Sequence, residues 1–158
     1  MAGDVTTIQP GGKAHAVRHS ERGPEQDHRP APDLSGLSPA AAAVIRGNQA
    51  YDHQQWSDAI REYQDAIAKG RDNADVRTDL GNAFRFSGQA EKALEQYTIA
   101  QRQNPQHENS LFNQIGLFMD LMHDPIRAIP ICEEFIRRFP NSDKTARVKE
   151  QLQIAKNL

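Results

Sequence analysis

The stretch LGNAFRFSGQAEKALEQYTIA, residues 80–100, decides the fold. Leu80, Gly81 and Phe84 fall on one side of a helix. Ser87-Gly88 is a turn signal. Ala93, Leu94, Tyr97 and Ala100 then mark the buried face of a second helix. Asn104-Pro105 ends that helix, because the residue before a proline is pushed out of helical geometry. The spacing predicts helices over residues 74–86 and 90–103. The same design recurs on either side: Gly47, Gly81 and Gly116 return at intervals of 34 and 35, each followed by Ala59, Ala93 or Ala128 after 11 intervening residues. Such a period is the mark of a helical solenoid. Solenoids seldom do chemistry; they present an extended concave surface to a partner.

The flanking copies follow the middle one. In the first, a helix is expected over residues 39–53 with Ala43, Gly47, Ala50 and Tyr51 inward. Its partner starts near Trp56, carries Ala59, Ile60, Tyr63, Ala66 and Ile67, and stops at Gly70. In the third, helices are expected over residues 108–122 and 125–139. Phe112, Ile115, Gly116 and Met119 face in from one; Ala128, Ile129, Cys132, Phe135 and Ile136 face in from the other. Pro130 should bend the second of these without breaking it. Gly47 with Ala59, Gly81 with Ala93, and Gly116 with Ala128 are expected to let paired helices approach closely. A Gly81→Leu change should then cost ~1–3 kcal/mol or more. Arg46 stands where the pattern wants an aliphatic side chain, on the outermost copy. Ser142 is expected to cap a last helix over residues 143–158, whose stripe of Thr145, Val148, Leu152 and Ala155 closes the open end.

Residues 1–37 differ in kind. They hold five of the ten glycines and four of the nine prolines, and no aromatic residue. Such a segment cannot bury enough apolar surface to offset ordering it, so a disordered tail is expected. A tether, a motif that recruits a second protein, and a lid on the groove are the alternative roles expected of it. His15, His19 and His28 are read as solvated, without metal-ligand spacing. Leu34 and Leu37 are read as a hydrophobic staple beside the Ser38-Pro39 helix start, with a short partner-binding motif as the alternative.

Composition excludes several function classes. Nineteen basic and 21 acidic side chains give a net charge of -2, no footprint for nucleic acid or an anionic membrane. No apolar run is long enough to span a bilayer. The start lacks a secretory signal, which points to the cytoplasm, with the cell envelope as the alternative for a processed or truncated chain. A lone cysteine, Cys132, forms no internal disulfide, and its place on an apolar helix face reads as a structural thiol, not a nucleophile. No phosphate-binding loop is present, so no enzymatic role, metal or cofactor is expected.

These residues resemble the tetratricopeptide repeat family over about residues 40–142. The strongest copy reads Leu80-Gly81, Phe84, Gly88, Ala93, Tyr97, Ala100, Pro105. The first reads Gly47, Tyr51, Trp56, Ala59, Tyr63, Ala66, and the third Phe112, Ile115-Gly116, Ala128, Phe135, Pro140. Cys132 and Phe135 stand where the earlier copies have tyrosine and alanine, so large and small have exchanged places. The resemblance implies an all-α fold: an α-solenoid of three antiparallel helix pairs with a C-terminal capping helix, in repeats of about 40–73, 74–107 and 109–142 and a cap over 143–158, within a domain of 38–158.

In that family the first helix of each pair lines the groove. Carried over by position, the candidate partner-binding residues are Val44, Asn48, Tyr51 and Asp52; Asp75, Thr78, Asn82, Arg85 and Phe86; and Ser110, Asn113, Leu117, Asp120 and Leu121. Asparagine amides suit an extended peptide backbone, and Tyr51, Phe86 and Leu117 offer apolar contact. One subfamily grips the C-terminal carboxylate of heat-shock chaperones. Its motif is met here at Asn48 but not at Val44, Asp79, Ser110 or Gln114, so that job is not expected. The reading is a non-enzymatic interaction module, an adaptor or scaffold that takes a peptide segment or helix of a partner protein. The alternative is a dedicated chaperone or assembly factor for a secreted or complex-forming client. Weak self-association through Trp56 is a third expectation. Residues 137–151 are similar to stretches of bacterial cell-envelope repeat proteins.

Overall fold

A computed structural model describes residues 30–158. The expectations for the histidines and most of the tail lie outside the described residues. Among the described residues seven α-helices follow in order: α1 (Pro39–Asp52), α2 (Trp56–Ala68), α3 (Ala74–Phe86), α4 (Ala90–Gln103), α5 (Glu108–Gly116), α6 (Pro125–Arg138) and α7 (Thr145–Asn157). A π-helical turn, Leu117–Leu121, continues α5. No strand occurs among the described residues. The architecture is an all-α solenoid of three helix pairs closed by α7.

Local chemistry sets the boundaries. Ser38 Oγ accepts from Ala41 N at 3.1 Å, and Pro39 opens α1. Asn73 and Asp124 cap α3 and α6 in the same manner. Leu37 stays 42% exposed, so a closed staple against α1 is not formed. In the first two pairs the helices are joined by one turn design. Gln55 N reaches back to Ala50 O and Gln89 N to Phe84 O, both at 2.8 Å, across a residue of positive φ. That residue is Gly88 in the second pair but Gln54 in the first, and His123 takes this role in the third. This is the helix-ending motif in which a left-handed residue lets the chain satisfy its last carbonyls.

Two apolar cores form. One joins α1 to α4 around Ala43, Ala59, Tyr63, Leu80, Phe84, Ala93 and Tyr97. The other joins α5, α6 and α7 around Phe112, Ile115, Cys132, Phe135 and Val148. The capping helix buries Thr145, Val148 and Ala155, and half-buries Leu152. It starts at Thr145, two residues later than expected. Ser142 Oγ accepts from Lys144 N in the turn before it, and Thr145 Oγ1 donates to Phe139 O at 2.6 Å. α6 runs through Pro130 without a break. Arg46 leans on α2, with Nε donating to Glu62 Oε2 at 2.9 Å.

The glycines do more than admit the facing alanine. A methyl group at Gly47 would meet the Tyr63 ring at 2.7 Å, and one at Gly81 the Tyr97 ring at 2.6 Å. These glycines make room for a tyrosine. At Gly116 the neighbour is Arg85 from the preceding repeat, with Nη atoms at 2.8 and 2.9 Å. The ring that would fill this space is missing, because the third copy has Cys132 there.

Candidate functional site

The first helices of the three pairs form a continuous face, held by polar and aromatic ties. The Tyr63 hydroxyl donates to Asn48 Oδ1 at 2.8 Å, and the Tyr97 hydroxyl donates to Asn82 Oδ1 at 2.6 Å. The same Asn82 oxygen accepts from Asn113 Nδ2 at 2.9 Å, which joins α3 to α5. Burial holds the Tyr63 and Tyr97 phenols well above the ordinary tyrosine range, so both remain neutral donors. In the third copy the pair is replaced on both sides: Leu117 stands at the asparagine position and Cys132 at the tyrosine position. Leu117 is fully buried and belongs to the first core.

The widened turn after Gly116 carries Asp120. Met122 N bonds to Leu117 O, and Asp124 N bonds to Phe118 O, six residues back. From this turn Asp120 Oδ2 accepts from Arg85 Nη2 at 2.7 Å. The Arg85 side chain is only 5% exposed, packed against Gly116 with its guanidinium 5.6 Å from the Phe86 ring centre. A buried guanidinium requires such a partner, because an uncompensated charge there is costly. An α-helix over residues 108–122 was the simpler expectation. The structure places five of those residues in a π turn, as occurs often at sites of special packing.

At the other end of the face, Tyr51, Trp56 and Phe86 form an aromatic cluster. The Tyr51–Trp56 centroids are 5.2 Å apart, edge to face, and Trp56 stacks on Phe86 at 5.4 Å. Trp56 is thus engaged within its own chain. Burial, reinforced by Asp79 and Asp52, raises the Tyr51 phenol out of its usual range.

The carried-over residues divide by accessibility. Thr78, Asn82, Arg85, Ser110, Asn113 and Leu117 are buried and bond or pack within the chain. Thr78 Oγ1 donates to Ala74 O at 2.7 Å, and Ser110 Oγ accepts from Gln101 Nε2 at 2.6 Å. These six form the wall of the face, where neighbouring repeats cover them. Val44, Asn48, Tyr51 and Leu121 are half-buried, and Asp52, Asp75, Phe86 and Asp120 are exposed. Asp75 sits at the α3 start and accepts from His107 Nε2 at 2.7 Å. His107 Nδ1 accepts from Ser110 N, so the imidazole caps α5 with its other nitrogen left to donate. Nothing in the sequence pattern marks His107 as this cap.

Chemistry elsewhere is sparse. Burial pushes the Cys132 thiol up to about 11, which keeps it protonated and unreactive at neutral pH. Among the described residues no group of histidine, cysteine and carboxylate side chains could hold a metal ion. No described helix is long and apolar enough to cross a membrane.

Known proteins agree with this geometry. Residues 46–108 match the family model described as tetratricopeptide repeat. No curated protein matches the chain. Among solved structures, the TPR2B domain of yeast Sti1 in complex with an Hsp70 peptide superposes with a TM-score of 0.68 at 12% identity, over 75% of this chain and 97% of that one. The Sgt2 TPR domain of Aspergillus fumigatus gives 0.65 at 24% identity, over 81% and 83%. The second TPR domain of human RPAP3, in complex with the HSP70 peptide SGPTIEEVD, gives 0.64 at 18% identity, over 75% and 95%. With three helix pairs and a capping helix, the chain has the tetratricopeptide repeat fold, and its residues 46–108 match that family's model.

Proposed function

We propose that this protein is an interaction module, an adaptor or scaffold that takes a peptide segment or helix of a partner protein against the face lined by α1, α3 and α5. The supporting observation is the tied ladder of Asn48, Asn82 and Asn113. Each rung is fixed by a neighbour, so the face is preorganised and loses little entropy when a ligand docks. Two structures of similar fold hold an Hsp70 peptide. The ligand here differs in kind from a chaperone C-terminus. Val44 and Asp79 supply no cation, Ser110 is fully buried, and Arg85 is already neutralised by Asp120. The half-buried Val44, Tyr51 and Leu121 and the exposed Phe86 offer apolar contact, with Asp52 beside them.

The test is affinity capture from native extract. Asn82 and Arg85 are too buried to serve as probes, so the variant is Val44→Arg with Asp52→Arg. Proteins retained by wild type and lost by a folded variant are ligands of this face. Identical capture by both rejects the reading. A ligand that is degraded when this protein is deleted assigns the dedicated-chaperone role instead of the adaptor role.

A further inference from the structure

A furrow of about 570 Å3 lies where α4, α5 and α6 meet, apart from the face described above. Gln114, Arg102, Arg137, Arg138, Leu111 and Pro105 line it. Gln114 is only 7% exposed as a residue; its amide, which makes no hydrogen bond to any described residue, opens onto the furrow. The charge around it is one-sided. Arg137 Nη2 lies 2.6 Å and Arg138 Nε 3.7 Å from the same carboxylate, Glu134. Arg138 also donates to Gln101 Oε1 at 3.1 Å. Arg102 is exposed and has no ion pair among the described residues. Three guanidinium groups thus line the furrow, and the Glu134 carboxylate pairs with two of them.

These arginines stand in the last turns of α4 and α6, where cations offset the carbonyl ends of helices. That accounts for the sign of the charge. It leaves the Gln114 amide, open to the furrow, without a partner in the chain.

We propose that the furrow is a second binding site, for an acidic peptide segment of a partner protein. A ligand carboxylate engages Arg102 together with the Arg137–Arg138 pair, as guanidinium groups favour. A backbone amide of the ligand meets Gln114, which has both donor and acceptor to offer. Leu111 and Pro105 provide the apolar wall. This site is independent of the ligand on the α1–α3–α5 face.

The test is a titration of the full-length, 15N-labelled chain with the peptide acetyl-Gly-Glu-Glu-Leu-Glu-Gly-amide, against a control with glutamine for each glutamate. The side-chain amide signals of Gln114 are expected to shift saturably with the acidic peptide alone. Arg102→Glu should weaken that binding by at least about ten-fold. Gln114→Met, close in volume and without a hydrogen bond to lose, should stay folded and bind more weakly. The proposal is overturned if the Gln114 signals stay still at millimolar peptide, if the control shifts them equally, or if Arg102→Glu changes nothing. Shifts confined to Val44, Asp52 and Phe86 also overturn it, and assign the peptide to the other face.

Discussion

Consider Gly81→Ala, where two physical effects have opposite signs. Gly81 lies inside α3, and helix propensity alone predicts that alanine stabilises by about 1 kcal/mol. Packing predicts the reverse. The new methyl carbon would lie 2.6 and 2.8 Å from carbons of the Tyr97 ring and 3.3 Å from the Ala93 carbonyl oxygen. Carbon atoms rest at about 3.5–4.0 Å, so the ring would have to move by roughly 1 Å. It has nowhere to go: Tyr97 is 0% exposed, and its hydroxyl is held by Asn82 at 2.6 Å. Overpacking costs ~1–3 kcal/mol, and a pinned ring belongs at the upper end. After the propensity gain the net loss is about 2 kcal/mol, a fall in midpoint of roughly 8 °C for a domain of this size. Urea unfolding followed by far-UV circular dichroism reads the loss, with an unchanged m-value as the check on two-state behaviour. Tyr97→Leu in the same chain should absorb part of it, so the double variant loses less than the two single losses added together. Gly81→Ala at or above wild-type stability would refute the close-approach argument.

Other expectations concern turns, acid and the thiol. Gln54 and His123 hold positive φ without being glycine, so Gln54→Gly and His123→Gly should each stabilise by about 1 kcal/mol in urea unfolding. Gly70→Ala and Gly88→Ala should do the opposite, although a methyl group meets nothing within 4 Å at either site. The Arg77 hydrogen bonds, with Gln103, hold the Asp72 carboxyl down at about 2. A lowered folded value means that its stabilisation is present above the unfolded range near 3.8 and is lost as pH falls from there toward 2. Acid unfolding curves of Asp72→Asn should therefore be flatter in that window, by less than about 1 kcal/mol because the pair is partly exposed. Cys132 should resist alkylation at pH 8 in the folded chain and react fully in 6 M guanidinium, so equal rates in the two states would contradict its burial.

The first two repeats were legible because their signals are local. Periodic apolar residues, Ser38-Pro39, Gly70 and Asn104-Pro105 each act within one turn of helix, and the helices end within a residue of where those signals put them. The third repeat was less legible because its geometry is set across repeats. Nothing near Leu117 announces a π turn; it accompanies Leu117 in a core built mainly by the first two pairs, and Asp120 facing Arg85. The paired replacement of asparagine and tyrosine by Leu117 and Cys132 was present in the register, 15 residues apart as in the other copies, but only its tyrosine side was read. The candidate face was read only as a set of positions. Which of them stay accessible was not legible, since Asn82, Arg85 and Asn113 are covered by side chains from neighbouring helices.

The central claim is that the α1–α3–α5 face holds another protein. A photo-crosslinking residue placed at Asp52, with a control at the exposed Glu133 on α6, tests it in living cells. The account predicts a discrete crosslinked partner from position 52, lost when Val44→Arg is added, and none of that species from position 133. The same species from both positions, or none from position 52, would contradict it.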